Sequence, residues 1–480
     1  MSPLKPKREI PKTYNPKDTE QRIYSFWMDG GYFTPKIDRS KSPYTLIMPP
    51  PNVTGELHMG HALTTAIEDM MVRWHRMKGE PTLFLPGADH AGIATQVVVE
   101  KSLAKNGVTR HQLGRQKFME KIWEWVDQYG SRIHDQLKRL GASCDWTRSR
   151  FTLDEGPSMA VNTTFVNLYN KGLIYRGERI GHWCPRCSTT LSDLEVNHQE
   201  TNGFLYHIVY HLKDQDSTIS IATTRPETLF GDTAIAVNPH DKRHADLLGK
   251  EAILPILGRL IPIIADETVD TEFGSGALKV TPGHDYTDFE IGERHKLPII
   301  NIMNPDGTLN DKTGPYEGED RLEAKPKIIE NLKMEGLLEK VEPYTHSVGH
   351  CSRCDEILEP IVSKQWYLRI KPLAEPAIKA IENKLIQIIP DRFTKTYYNW
   401  MYNIRDWPIS RQLWWGHQIP VWYCNDCKGI TVDIKNPSNC KMCGSENTER
   451  DPDVLDTWFS SMLWPMATLG WPDKSDALKT

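Results

Sequence analysis

Apolar positions along this chain follow two periods, and the period changes three times. Tyr44–Met48 and the run Thr82-Leu83-Phe84-Leu85-Pro86-Gly87 are short and almost uniformly apolar, the pattern of strands buried on both faces. Between and after them the apolar residues recur at helical spacing, over about 61–78, 91–105, 114–139 and 157–171, and an amphipathic helix is expected ahead of them over 18–35. Strand alternating with helix predicts a parallel sheet covered by helices. From about 203 to 343 strand-like runs dominate instead: Phe204–Leu212, Ser220–Thr224, Ala234–Val237, Ile261–Ala265 and Ala277–Thr281, punctuated by Gly and Pro, with a few helical patterns such as 284–296 and 320–335. The α/β texture resumes after 365 with Trp366, Tyr367 and a helical stretch at 371–385.

These shifts predict an α/β protein whose parallel-sheet domain is split by a mainly β insertion. The expected divisions are an N-terminal arm and helix (1–40), the first half of the sheet domain (41–180), a stalk (181–202 and 344–365) and a β-rich module (203–343). The second part of the sheet domain follows (366–420 and 447–480), interrupted by a small knuckle (421–446). A chain of 480 residues is long enough for several such units.

Cysteine spacing refines the picture. All but one of the nine cysteines fall in CxxC pairs: Cys184/Cys187, Cys351/Cys354, Cys424/Cys427 and Cys440/Cys443. In an intracellular chain such pairs read as zinc ligands rather than disulfides. The last two pairs lie close in sequence and make a local four-thiolate knuckle. The first two flank the β-rich insertion and either share one zinc at its base or stand as two independent metal-free turns. Cys144 is left over and reads as a small buried apolar residue. The 15 tryptophans are expected mainly in cores.

Charge excludes a globally basic nucleic-acid binder, since the net charge is −5. A nucleic-acid partner would have to use local patches, such as Lys5, Lys7, Arg8, Lys12 and Lys17, or Arg132, Lys138, Arg139 and Arg148; ordinary solvated surface is the alternative for both. No apolar run is long enough to span a bilayer, and the polar, basic N-terminus has no apolar signal core. A soluble cytoplasmic protein, acting as a monomer, is expected.

The most informative segment is Pro49-Pro50-Pro51-Asn52-Val53-Thr54-Gly55-Glu56-Leu57-His58-Met59-Gly60-His61. It joins the first strand to the first long helix. A helix N-terminus offers unpaired N–H groups and a positive dipole end to an anion, and His58 and His61 share one side of its first turn. Gly60 leaves room there for a flat ring. After the second strand comes Gly87-Ala88-Asp89-His90-Ala91-Gly92, which sets Asp89 at the sheet rim where α/β proteins bind ligands; a helix N-cap is its plain alternative.

HxGH after a strand resembles the HIGH signature of class I aminoacyl-tRNA synthetases, and Pro-Pro-Pro-Asn-Val-Thr-Gly resembles their valine-specific branch. The similarity extends from about Pro11 to the last residue. It implies a Rossmann-like catalytic domain that activates valine with ATP and Mg2+ and esterifies tRNA(Val). It implies further that His58 and His61 contact the ATP phosphates, that Gly60 underlies adenine, and that Asp89 holds the valine ammonium. Pro49, Pro50 and Trp458 would wall the isopropyl group, and Asn52 would set a polar group against the substrate. The family's second signature, KMSKS, is not found in these residues, so the chain is expected to be truncated and weak or inactive in adenylate formation.

A pocket shaped for valine cannot strongly reject threonine, an isostere with an added hydroxyl, so a second hydrolytic pocket is expected. Thr223-Thr224-Arg225-Pro226-Glu227-Thr228 and Gly276-Ala277-Leu278-Lys279-Val280-Thr281-Pro282-Gly283-His284-Asp285-Tyr286-Thr287-Asp288 resemble the editing motifs of the valine, isoleucine and leucine enzymes. The resemblance implies that Thr224 and Thr228 bind the terminal adenosine or a water, and that Asp285 anchors the ammonium of the misacylated residue. Lys279, Thr281 and Asp288 would read the threonine hydroxyl, and Arg225 would meet the tRNA end. Two alternatives stay open: an isoleucine-specific enzyme, whose usual signature carries Pro-Tyr-Ala-Asn-Gly, and a module that only binds or edits tRNA ends.

Overall fold

The computed structural model describes residues 12–213 and 216–479, so Lys5, Lys7 and Arg8 lie outside the described residues. The chain forms two compact units. One ends at Asn167 and resumes at Trp414; the other is Leu168–Leu413.

In the first unit α1 (Pro16–Asp29) starts where Asn15 accepts the Lys17 N–H and Pro16 presets the first turn. It stops at Gly30, several residues short of the expected end. β1 (Tyr44–Ile47) and β2 (Thr82–Leu85) pair in parallel, Tyr44 opposite Thr82 and Ile47 opposite Leu85. The crossover between them is α2 (Met59–Met77). Beyond Pro86, β3 (Gly87–Ala88) pairs in parallel with β4 (Arg150–Phe151). Between these two strands run α3 (Gly92–Ala104), α4 (Arg110–Leu113) and α5 (Arg115–Leu140).

α5 buries Phe118, Ile122, Val126, Ile133 and Leu137, a single stripe at helical spacing. That stripe packs with Val72 of α2 and Phe84 of β2. α2 is less usual. It buries Thr65, Asp69 and Val72, yet Met59, Leu63, Ile67, Met70, Trp74 and Met77 are exposed. Several members of the basic helical patch are already engaged: Arg132 with Glu56 at 2.8 Å, Arg148 with Asp145 at 3.3 Å, and Lys138 over the Trp146 ring. The chain reaches the second unit through α6 (Glu155–Asn170).

The second unit opens with β5 (Ile174–Cys184) and β6 (Thr189–Leu191), then β7 (Val196–His211) and β8 (Thr218–Thr223). β9 (Ala234–Val237), β10 (Glu251–Ile253), β11 (Leu260–Ala265) and β12 (Ala277–Val280) form a four-stranded sheet in the order β10-β11-β9-β12. After α7 (Tyr286–His295) and α8 (Arg321–Met334), β13 (Leu338–Cys351) returns along β7 as a long antiparallel ribbon, and β14 (Glu359–Leu368) pairs with β5. Ile208, Tyr210, Ile221, Phe230, Ile235, Val237 and Ile263 lie in its core. α9 (Lys371–Glu382), α10 (Thr394–Tyr402) and two short strands, Trp407–Pro408 and Ser410–Arg411, end it.

After Trp414 the chain is again in the first unit. Strands Val421–Cys424, Ile430–Val432 and Thr448–Arg450 build a small antiparallel sheet, followed by α11 (Thr457–Ser461) and α12 (Trp464–Ala467). Trp464 packs on Leu83 and Leu85 and donates its indole N–H to the Met48 carbonyl. A Cβ at Gly87 would overlap that indole, so only glycine lets Trp464 sit there. No described helix is long and apolar enough to cross a membrane. Mixed α/β architecture with several sheets is what the hydrophobic periods predict.

Candidate active and editing sites

The backbone just past β1 meets the backbone just past β3. The Asp89 N–H donates to Pro51 O and the Val53 N–H to Asp89 O, making a parallel bridge between Asn52 and Asp89. Two residues distant in sequence are thereby neighbours at the ends of parallel strands, where α/β sheets open to ligands. The Asp89 carboxylate is buried. Its Oδ1 accepts the Ala91 N–H at 3.1 Å and the Thr152 hydroxyl at 3.1 Å, and His90 Nδ1 lies 3.2 Å away. Among the described residues its Oδ2 accepts only the Ser461 hydroxyl, at 3.1 Å.

Burial alone would raise the pKa of Asp89. The His90 imidazole, the Ala91 N–H and the Ser461 hydroxyl outweigh that and hold it below the usual carboxylate range. Asp89 is not the N-cap of α3. That position is Ala91, in the left-handed region with φ 50°, and Asp89 instead braces the N–H of this residue.

α11 carries the other candidate pocket residue. Asp456 caps it by accepting the Trp458 N–H, and Ser461, three residues after the exposed Trp458, reaches Asp89. Pro49 and Asn52 are exposed and Pro50 half-buried.

At the start of α2 the two histidines cap one another. His58 is the N-cap and accepts the Gly60 N–H through Nδ1 at 3.1 Å, while His61 Nδ1 accepts the His58 N–H at 3.3 Å. Their rings lie 4.0 Å apart. Partial burial, then the neighbouring His58, lowers the pKa of His61. A Cβ on Gly60 would press on the His58 ring at 2.9 Å, so the side-chain-free position also preserves the capping geometry.

Two buried histidines were not singled out by the sequence. His417 packs edge-on to His90, with ring centroids 5.1 Å apart, and burial, then His90, drive its pKa down to about 3. An unfolded histidine titrates near 6.5, so this folded-state value is depressed. The associated stability is complete above pH ~6.5 and is lost as pH falls toward 3. Between pH 7 and 5 the loss is about 2 kcal/mol for one such histidine. Urea unfolding at the two pH values is expected to show His417→Gln losing less stability than the parent by about that amount.

In the second unit β9 pairs antiparallel with β12, and Lys279 of β12 reaches Thr228, so the two candidate editing segments meet. Lys279 is buried, and its ammonium donates to Thr228 Oγ1 at 3.0 Å, Asp232 Oδ1 at 3.1 Å and Thr281 Oγ1. An ammonium has three N–H donors, and all three are used. Asp232 also accepts the Thr281 hydroxyl at 2.6 Å and the Tyr210 hydroxyl at 2.7 Å. Burial raises the pKa of Asp232, against the pull of Lys279 and those hydroxyls. Asp232 and Tyr210 escape a motif search because an isolated aspartate and a strand tyrosine carry no spacing signal.

Asp288 is buried and accepts the Thr281 N–H at 2.8 Å. Burial, then Asp285, lifts its pKa to about 7. Asp285 is the N-cap of α7, taking the Thr287 and Asp288 N–H groups on Oδ1 and, among the described residues, leaving Oδ2 open. Arg225 binds Glu227 at 3.1 Å, Glu359 and the His284 carbonyl. The Thr224 carbonyl accepts Lys325. His284 is buried, with a pKa pushed to about 3 by burial and then by Arg225 and Lys279.

The cysteines form two four-sulfur clusters, one of Cys184, Cys187, Cys351 and Cys354 and one of Cys424, Cys427, Cys440 and Cys443. Within each, the ligand atoms lie within 4.8 Å of one another. Zinc–sulfur bonds of about 2.3 Å in a tetrahedron place sulfurs about 3.8 Å apart. Cys184 and Cys187 each lie 3.5 Å from Cys354, Cys424 lies 3.6 Å from Cys443, and Cys427 lies 3.7 Å from Cys440. Backbone N–H groups of Cys187, Gly429 and Met442 point at sulfurs, as thiolates require. Both donor sets fit a structural zinc.

Residues 22–480 match the family of tRNA synthetases class I (I, L, M and V), and the chain belongs to it. Among its relatives are proteins named as valine enzymes. It is 58% identical over 98% of its length to "Valine--tRNA ligase" of Dehalococcoides mccartyi, covering 53% of that protein. It is 55% identical, again over 98% of its length, to "Valine--tRNA ligase" of Clostridium perfringens, covering 54% of it. The chain thus spans about half the length of the curated relatives it matches. A solved leucine enzyme, the Agrobacterium radiobacter K84 "LeuRS-tRNA-LeuAMS" ternary complex, aligns over 97% of this chain at 18% identity with a TM-score of 0.47.

Proposed function

We propose that this chain carries the valine-activation site and a separate hydrolytic site of a valine–tRNA ligase. The observation that carries the reading is Asp89: its backbone is bridged to Asn52, and its carboxylate is buried and ionised, with one oxygen touched, among the described residues, only by the helix that bears Trp458. Such a group calls for a cation, and the ammonium of an amino acid supplies one. Valine then lies with its isopropyl group toward Pro49, Pro50 and Trp458. Its carboxylate attacks the α-phosphorus of ATP, and pyrophosphate leaves. Positioning and charge stabilisation suffice for this step. His58, Gly60, His61 and the N-terminus of α2 hold the nucleotide, with Mg2+ travelling as part of the ATP complex. A hydroxyl of the 3′-terminal ribose of tRNA(Val) next attacks the valyl carbonyl, the acyl–phosphate bond breaks and AMP leaves.

The β9–β12 cluster hydrolyses Thr-tRNA(Val). The open Oδ2 of Asp285 receives the threonine ammonium, and Asp288, with a pKa near pH 7, reads the threonine hydroxyl. Lys279 fixes the Thr228 and Thr281 hydroxyls rather than binding substrate itself, because its three protons are already placed. Water adds to the ester carbonyl and the bond to the ribose oxygen breaks. Thr224 and Arg225 border the site and contact the tRNA end. Each four-cysteine cluster holds one structural zinc.

The chain is expected to deacylate Thr-tRNA(Val) while sparing Val-tRNA(Val), and Asp285→Ala to slow that hydrolysis at least tenfold. Losing the α7 cap itself costs about 1 kcal/mol, which a melting curve separates from loss of activity. Hydrolysis by the parent chain no faster than in buffer alone would overturn the editing assignment.

A further inference from the structure

His90 is held at almost every polar atom. Its N–H donates to Thr152 Oγ1 at 2.8 Å, and its carbonyl accepts the Trp415 indole at 2.7 Å and the Thr95 hydroxyl at 2.8 Å. Its ring Nδ1 lies 2.8 Å from Thr152 Oγ1 and 3.2 Å from Asp89 Oδ1. The Thr152 hydroxyl has one proton, and Asp89, being ionised, only accepts, so that proton lies on the 3.1 Å bond to Asp89. The contact between Thr152 Oγ1 and His90 Nδ1 must then be an N–H donated by the imidazole. The imidazole proton is thereby placed on Thr152, whose own proton is directed at Asp89 Oδ1, so the His90–Thr152 pair holds that side of the carboxylate and leaves Oδ2 toward Ser461. The ring is fully buried and its Nε2 has no hydrogen-bond partner among the described residues, so packing alone would be served as well by an apolar side chain.

We infer that His90, with Thr152, is the positioning residue of the ammonium site: it orients the Asp89 carboxylate and thereby sets the enzyme's affinity for the amino group of its substrate. The inference rests on the reading of Asp89 as the ammonium ligand. It assigns His90 no contact with substrate; the side chain acts through Asp89.

The test uses the 480-residue chain and two probes, valyl-sulfamoyl-adenosine and its desamino counterpart, which differ only in the ammonium group. A hydrogen bond to a charged group is worth roughly a tenfold change in affinity. His90→Leu is expected to weaken the amino probe about tenfold and leave the desamino probe unchanged. His90→Asn, which keeps an N–H near the Nδ1 position, is expected to recover most of the loss. Thr152→Val repeats the amino-selective loss and carries the test if His90→Leu fails to fold. Equal weakening of both probes, or no weakening, overturns the positioning role. Asp89→Asn separates the two layers. If it weakens only the amino probe while the His90 and Thr152 variants do not, this inference alone fails. If Asp89→Asn leaves both probes unchanged, or the parent chain does not distinguish them, the ammonium reading falls and this inference with it.

Discussion

Asp89→Asn is expected to lower the affinity of the chain for valine more than a hundredfold, while the melting temperature stays close to that of the parent. Leaving one partner of a buried ion pair without the other costs about 3–5 kcal/mol, and each 1.4 kcal/mol is about tenfold in affinity. The asparagine keeps the size of the side chain and can still accept from Ala91 and Thr152, so the local fold retains its hydrogen bonds. What it loses is the charge, which two features of the fold protect: burial among Thr152, His90 and Ser461, and the protons that the Thr152 and Ser461 hydroxyls direct at the carboxylate. Calorimetric titration with valine and isoleucine checks both the loss and the side-chain preference. Unchanged valine affinity in the variant would remove the ammonium role, and tighter isoleucine than valine binding in the parent would move the chain to the isoleucine branch.

The second large effect concerns metal. Elemental analysis of the purified chain is expected to give two zinc ions per molecule, and Cys440→Ser to give one. The same variant should unfold the segment around Val421–Arg450 while the β-rich unit keeps its signals in amide exchange. The knuckle has little else to hold it: Val421, Trp422, Cys424, Thr431 and Cys440 are buried, but Cys427 and Cys443 are exposed. Structural zinc contributes about 10–16 kcal/mol of apparent binding energy in small domains, far more than so small an apolar cluster supplies. The cluster of Cys184, Cys187, Cys351 and Cys354 is more deeply buried and closes the base of the β7–β13 ribbon, so a chelator should strip it more slowly. A parent chain that binds no zinc, or whose knuckle survives Cys440→Ser intact, would refute the assignment.

Hydrophobic period located the elements that bury a face and passed over those that do not. The strand run at Phe204–Leu212 is only the inner part of β7, which begins at Val196. Its first residues are nearly all exposed, so no alternation marks them. β13 escaped for the same reason, being a ribbon strand with solvent on much of both sides. The amphipathic α5, by contrast, runs over Arg115–Leu140, within a residue of its pattern, because five of its side chains share one buried stripe. The end of α1 at Asp29 rather than near 35 follows from Gly30 and Gly31, which stop a helix more effectively than the continuing polar pattern suggests.

The sites divide along similar lines. His58 and His61 were legible because a helix places residues three apart side by side whatever surrounds it. The cysteine quartet at 424–443 was legible because its ligands are local. Asp89 could be named from its place after a strand. Its partners could not, since Asn52, Thr152 and Ser461 come from three other segments and meet it only through parallel pairing and the α11 turn. Asp232, Tyr210, His90 and His417 carry no motif at all; their chemistry arises from burial, which makes each hydrogen bond and each charge count.

By itself the sequence determined what is set by short-range geometry and residue type: the alternation of strand and helix, the insertion of a β-rich stretch, the cysteine pairs and the histidine helix mouth. Only the tertiary structure decided what depends on long-range neighbours. It closed Cys184/Cys187 with Cys351/Cys354 into one cluster, spent all three protons of Lys279 inside the protein, and kept a buried Asp89 ionised. The reason is that protonation state and hydrogen-bond saturation are properties of an environment, and that environment is assembled from residues hundreds of positions apart.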